Sequence, residues 1–141
     1  MKKLISLTGI IFMGTLAATP VFAKAVIIEA ANLKFTDVPG FTGVHMAVAE
    51  GDPAKGAHHV FMKFDAGFTA PLHHHTADHF GTVISGTVTF VVDGKEHKLP
   101  PGSYFAFQNK GTHITKCELG SDCLIFLDTR GKWDVIAENK K

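Results

Sequence analysis

The 141-residue sequence holds one Trp, one Tyr and two Cys, so it can form at most one intrachain disulfide. Charge of either sign is sparse. Charged residues make up 19%, and 14 Lys and Arg face 13 Asp and Glu for a net charge of +1. A nucleic-acid binder would show a basic excess, which is missing here. Hydrophobic residues at 45% argue against a disordered chain. Internal repeats, low-complexity tracts, linkers and any sustained helical period are all absent. The length excludes a two-domain enzyme and a TIM barrel, which needs about 250 residues. Two excesses stand out against this: nine His, and twelve Phe against one Tyr.

The start of the chain reads as an address. Lys2 and Lys3 precede an uncharged apolar run from Leu4 to Ala18, and Pro20-Val21-Phe22-Ala23 ends in small residues at the signal-peptidase positions. The expectation is a Sec signal peptide over residues 1–23, cut after Ala23, and a periplasmic or secreted domain over 24–141. The competing reading, a membrane anchor, suffers from a short apolar run with no basic flank behind it. No Arg-Arg pair precedes the run, which argues against twin-arginine export of a prefolded protein, so any metal would be acquired after export. Losing Lys2 and Lys3 leaves 12 basic against 13 acidic side chains, a net charge of −1. Cys117 and Cys123 both remain, and an oxidising compartment favours their pairing across the turn signal Gly120-Ser121-Asp122. A free thiol at Cys117 is the alternative.

The rest of the chain is a series of short β-rich runs between turn signals. Strands are expected at 26–28, 44–48, 58–64, 79–85, 87–92, 96–99, 104–107, 113–117 and 123–128, with Asp93-Gly94 as a two-residue hairpin turn. Residues 65–72, which contain Pro71, read as a loop. The tail is expected to dock through Trp133, Val135 and Ile136. So many short strands imply an all-β sandwich or barrel, whose interior can hold one ligand or metal.

The His pattern carries the chemistry. In extended chain, His73 and His75 face one way and His74 the other. His79 opens the next strand after Thr76-Ala77-Asp78, and His113 comes from a later one. Four imidazoles could therefore meet, and neutral imidazole suits Zn, Cu, Fe and Ni. The plainer alternative is a set of surface His or a metal-scavenging tract. Its weakness is that these His lie between strand patterns rather than in a polar tail. His45, His74 and His97 are read as surface residues. One of the adjacent pair His58 and His59 should point inward. Tyr104 is read as a packed barrel residue, with a hydrogen-bond role near the site as the alternative, and Asp78 as a turn carboxylate or an orienter of imidazole.

Gly67, five residues, His73-x-His75, three residues, position 79, six residues and Gly86 reproduce the spacing of the first cupin motif, with His79 where the family has Glu. Of the second motif, counted from Gly102, only Gly102 and His113 match. Gln108, Lys110 and Cys117 replace Pro, Gly and Asn. The chain thus resembles the cupin superfamily, and its wording at 51–56, 75–78 and 101–104 resembles small secreted cupins. The resemblance implies a single-domain jelly-roll β-barrel. It also implies a mononuclear metal on His73, His75 and His113, with His79 as fourth ligand or turned away. Metallation after export favours Zn or Cu, with Fe, Ni or Mn as alternatives. The function implied is dioxygenase, isomerase, lyase or cyclase chemistry on a small organic substrate, or non-catalytic binding of a metal or small ligand. No membrane partner is expected after signal cleavage. A homodimer stays open, since small cupins pair through edge strands.

Overall fold

The structure, a computed structural model, describes residues 25–138; the expected signal peptide lies outside the described residues. Eleven strands follow a short 3-10 turn at Ala30–Asn32: β1 Thr36–Asp37, β2 Val44–Gly51, β3 His58–Phe64, β4 Thr69–His74, β5 His79–Ser85, β6 Val88–Val92, β7 Lys95–Leu99, β8 Tyr104–Phe107, β9 His113–Cys117, β10 Cys123–Thr129 and β11 Ile136–Ala137. They form two antiparallel sheets, ordered β1-β2-β3-β10-β5-β8 and β11-β4-β9-β6-β7. This is the expected all-β jelly-roll barrel. No helix among the described residues is long and apolar enough to cross a membrane.

The period-two burial of β3, β9 and β10 explains why the sheets face each other. Val60, Met62, Val83, Val88, Ile125 and Leu127 are all at most 3% exposed and fill the space between. Burying each such side chain contributes about 1.5–3 kcal/mol. Asp93 and Gly94, with φ of 50° and 78°, turn β6 into β7 as the hairpin signal foretells. Gly86 passes the chain from β5 to β6, where a Cβ would stand 2.6 Å from the Asp122 carbonyl oxygen. Only glycine fits so close an approach.

Two expectations about elements need correction. Residues 26–28 are not a strand; Ile27 is 89% exposed and has no pairing partner. Thr69–His74 is a strand rather than a loop, paired with β9. The register shifts between Ala70 and His73, which places Pro71, lacking an N–H, where the ladder is already broken.

Cys117 and Cys123 form a disulfide whose Cα atoms are 5.8 Å apart. It ties β9 in one sheet to β10 in the other. Residues 130–138 form the described tail, which packs at the end of the barrel that holds the histidines. There the Trp133 N–H donates to the Pro53 carbonyl at 2.8 Å, and β11 pairs with β4.

Candidate metal centre

Strand pairing collects the histidines. His73 lies opposite His113 across β4 and β9, and His79 lies opposite Phe107 across β5 and β8. His75 follows two residues after His73 and points to the same side. All four are buried, between 2% and 6% exposed. One ring nitrogen from each of His73, His75 and His113 lies within 4.8 Å of the others, a group that could hold a metal ion. His79 stands beside this triad, its ring centroid 4.5 Å from that of His75 and 5.9 Å from that of His113.

Each imidazole is oriented through Nδ1. His73 donates to the Pro71 carbonyl at 2.7 Å, His113 to that of Gly111 at 3.1 Å, and His75 to that of Asp134. His79 is held more loosely, 3.4 Å from the Ala77 carbonyl. A carbonyl only accepts, so Nδ1 carries the proton and the Nε2 lone pair is left free. Burial reinforces this. Desolvation, and then the neighbouring imidazoles, push His75 and His113 down to about 3, and desolvation also lowers His73 and His79. Neutral imidazoles with buried lone pairs and fixed tautomers are what a transition metal requires, so the donor set fits one.

The wall around the triad is apolar. Phe107 stacks on His113 with centroids 3.7 Å apart, and the Trp133 indole lies 4.7 Å from the His75 ring. Phe64, Phe68, Phe90 and Phe105 line the same cavity. Among its described lining residues there is no Lys, Arg, Asp or Glu; Thr115 and the four histidines are the polar members.

The other candidates fall outside the triad. His97 is exposed as expected, but His45 and His74 are partly covered. His45 bridges Asp37 at 2.8 Å and Asp65 at 3.1 Å, and His74 meets Glu138 at 2.6 Å. His58 is the inward member of its pair, with Nδ1 on the Gly56 carbonyl at 2.8 Å and Nε2 buried without a partner. Asp78 does not hold an imidazole; its carboxylate accepts the Asn109 N–H at 2.9 Å and so fixes the loop leading to His113. Tyr104 is neither packed in the barrel nor near the site. It is 67% exposed on the edge strand β8, while Phe105 points in. Ser85, in step with His79, is exposed at its strand end, whereas Gly81 and Val83 face inward.

Sequence reasoning did not reach the Asp134 carbonyl, because a backbone acceptor leaves no trace in residue type. Trp133 was visible only as a docking residue. Its place against a candidate ligand follows from β11 pairing with β4.

A family model described as the cupin domain matches residues 60–127. No curated protein matches the chain. Solved structures of similar fold include KdgF from Halomonas sp., 22% identical over 77% of this chain and 94% of that one, with a TM-score of 0.62. The polyketide cyclase RemF from Streptomyces resistomycificus is 15% identical over 84% and 88%, with a TM-score of 0.68. The DMSP lyase DddQ from Ruegeria pomeroyi is 16% identical over 76% and 61%, with a TM-score of 0.62. Identities this low speak for the fold and not for an activity. The matched family domain spans both halves of the His set, the two-sheet barrel around it is shared with these structures, and the chain belongs to the cupin superfamily.

Proposed function

We propose that the chain is an exported, mononuclear metal-dependent cupin enzyme that acts on a small organic molecule. The observation that carries this is the buried triad His73, His75 and His113, neutral and oriented through Nδ1. His79 is the fourth ligand in this reading. His replaces the usual carboxylate there, so four neutral donors leave the charge of a divalent ion uncompensated. Zn or Cu is the favoured ion, because imidazole affinity peaks near them and exported chains meet metal outside the cell's metal control. A bound metal would supply Lewis-acid polarisation of a ligated oxygen. The protein's own part is to orient the imidazoles, to exclude water with Phe90, Phe105 and Trp133, and to offer apolar contact to a substrate. The Cys117–Cys123 bridge supports export, since such bridges persist in oxidising compartments.

Non-catalytic binding of a metal or small ligand is the second reading. The observation favouring it is the lack of carboxylate or Lys among the cavity's described lining residues, which leaves few groups for acid–base work.

The test is elemental analysis of untagged protein recovered from the periplasm, beside His73→Ala/His113→Ala. About one equivalent of Zn or Cu, lost in the double variant, is expected. Stoichiometric Fe or Mn would overturn the choice of metal. No metal in either protein after reconstitution would overturn the metal centre.

A further inference from the structure

Outside the barrel mouth lies a second concavity of about 280 Å³, bounded by Thr36, Pro39, Met46, Pro53 and Ala54. Trp133 and Val38 line both this groove and the cavity that holds the histidines. They form the partition between the two. The indole lies tilted against His75, with centroids 4.7 Å apart, and its plane is near perpendicular to that of His58, 6.5 Å away between centroids. The partition is pinned at its base, where the Trp133 N–H meets the Pro53 carbonyl at 2.8 Å and the Thr76 N–H meets the Asp134 carboxylate at 2.8 Å.

The inner cavity holds only about 50 Å³. An apolar cavity that admits benzene is about 150 Å³. Beside the triad there is thus room for a head of a few atoms, and the body of any larger molecule must stay outside the partition.

Chemistry restricts that body further. The inner cavity shows no Lys, Arg, Asp or Glu among its described lining residues. The groove has one charged group, Asp37, and His45 holds it at 2.8 Å. Phosphates and carboxylates are ordinarily received by Arg or Lys or by a helix N-terminus. None of these lines either space among the described residues. A second charge on the ligand would be desolvated without a partner.

We propose that this groove is the substrate's outer subsite, with Trp133 and Val38 as the doorway to the metal centre. The ligand class is an apolar molecule whose one small oxygen head, at the metal end, carries any charge it has, and sugar phosphates and dicarboxylates are excluded. The inference rests on the metal-centre reading above for the inner end of the substrate.

Trp133 is the only Trp in the chain, so its fluorescence reports the doorway directly. The full chain, metal-free and metal-loaded, is titrated with hexan-1-ol and separately with glucose 6-phosphate, with metal content measured independently. Hexan-1-ol is expected to shift the Trp133 emission saturably in both forms, and glucose 6-phosphate to leave it unchanged. Ala54→Glu, at an exposed groove position, should weaken the alcohol at least fivefold, and Met46→Glu should do the same. Met46→Leu should leave it within twofold. A saturable alcohol response in a chain that never loads metal supports the groove and defeats only the metal reading. A metal-loaded chain with no saturable response overturns the groove alone. So does a response that neither Glu variant weakens, or glucose 6-phosphate binding as well as the alcohol.

Discussion

His75 and His113 make folding pH-dependent in a calculable direction. Their burial pushes both down to about 3 from an ordinary 6.5. Between those values the unfolded chain binds protons that the folded metal-free chain refuses, so stability rises with pH across that window. It is fully present above pH 6.5 and drains away as pH falls toward 3. Urea unfolding of the metal-free protein at pH 7.5, 6 and 5 should show a falling midpoint, and His75→Gln should flatten the slope. A midpoint indifferent to pH would mean that these rings are not desolvated. The folded rings refuse protons until pH nears 3, so the metal-loaded protein should keep its ion through this window while it stays folded and lose it toward pH 3, where protons compete for Nε2. At the residue scale the sequence was legible where spacing decides the face. His73 and His75 could be placed together, and His74 apart from them, on alternation alone. Tyr104 was misplaced because alternation gives two phases and does not say which one faces inward. Phe105 took the interior, where Gly81 leaves room for its ring: a Cβ on Gly81 would stand 2.4 Å from it.

Strand identity was legible where a run of branched or aromatic residues ended in Gly, Pro or Asp, as in β3, β5, β6 and β10. It failed at β4. Pro71 argues against a strand locally, yet the partner β9 and the register break between Ala70 and His73 accommodate it. It failed in the other direction at 26–28, where an apolar run finds nothing to pair with and Ile27 stays exposed. Tertiary partners decide such cases, and one chain read alone does not display them. The disulfide belongs to this scale too, since it joins the ends of β9 and β10. It closes a loop of sequence separation 6, worth about 2–2.5 kcal/mol by loop-closure entropy. Cys117→Ala/Cys123→Ala should therefore lose about 2 kcal/mol in urea unfolding. Metal occupancy at saturating metal should be unchanged, since His113 sits at the far end of β9, about 13 Å away at about 3.3 Å per residue. Loss of metal binding in a folded variant would show that the clamp shapes the centre directly.

At the scale of the whole molecule the barrel divides its labour between its ends. One end is closed by the disulfide and by Gly86 packed under Asp122. The other gathers His73, His75, His79 and His113 behind the Trp133 tail. The barrel and the grouping of His73, His75 and His113 were legible in the sequence because strand period and motif spacing are local. The tail's part was not, since it depends on β11 reaching β4. All of this turns on a single ion held by imidazole nitrogens at this end. Electron paramagnetic resonance of the Cu(II)-loaded protein counts those nitrogens. About one Cu(II) per chain with four nitrogen couplings is expected, reduced to three by His79→Ala and abolished by His73→Ala/His113→Ala. A spectrum without nitrogen couplings, or one unchanged by the double variant, would contradict it.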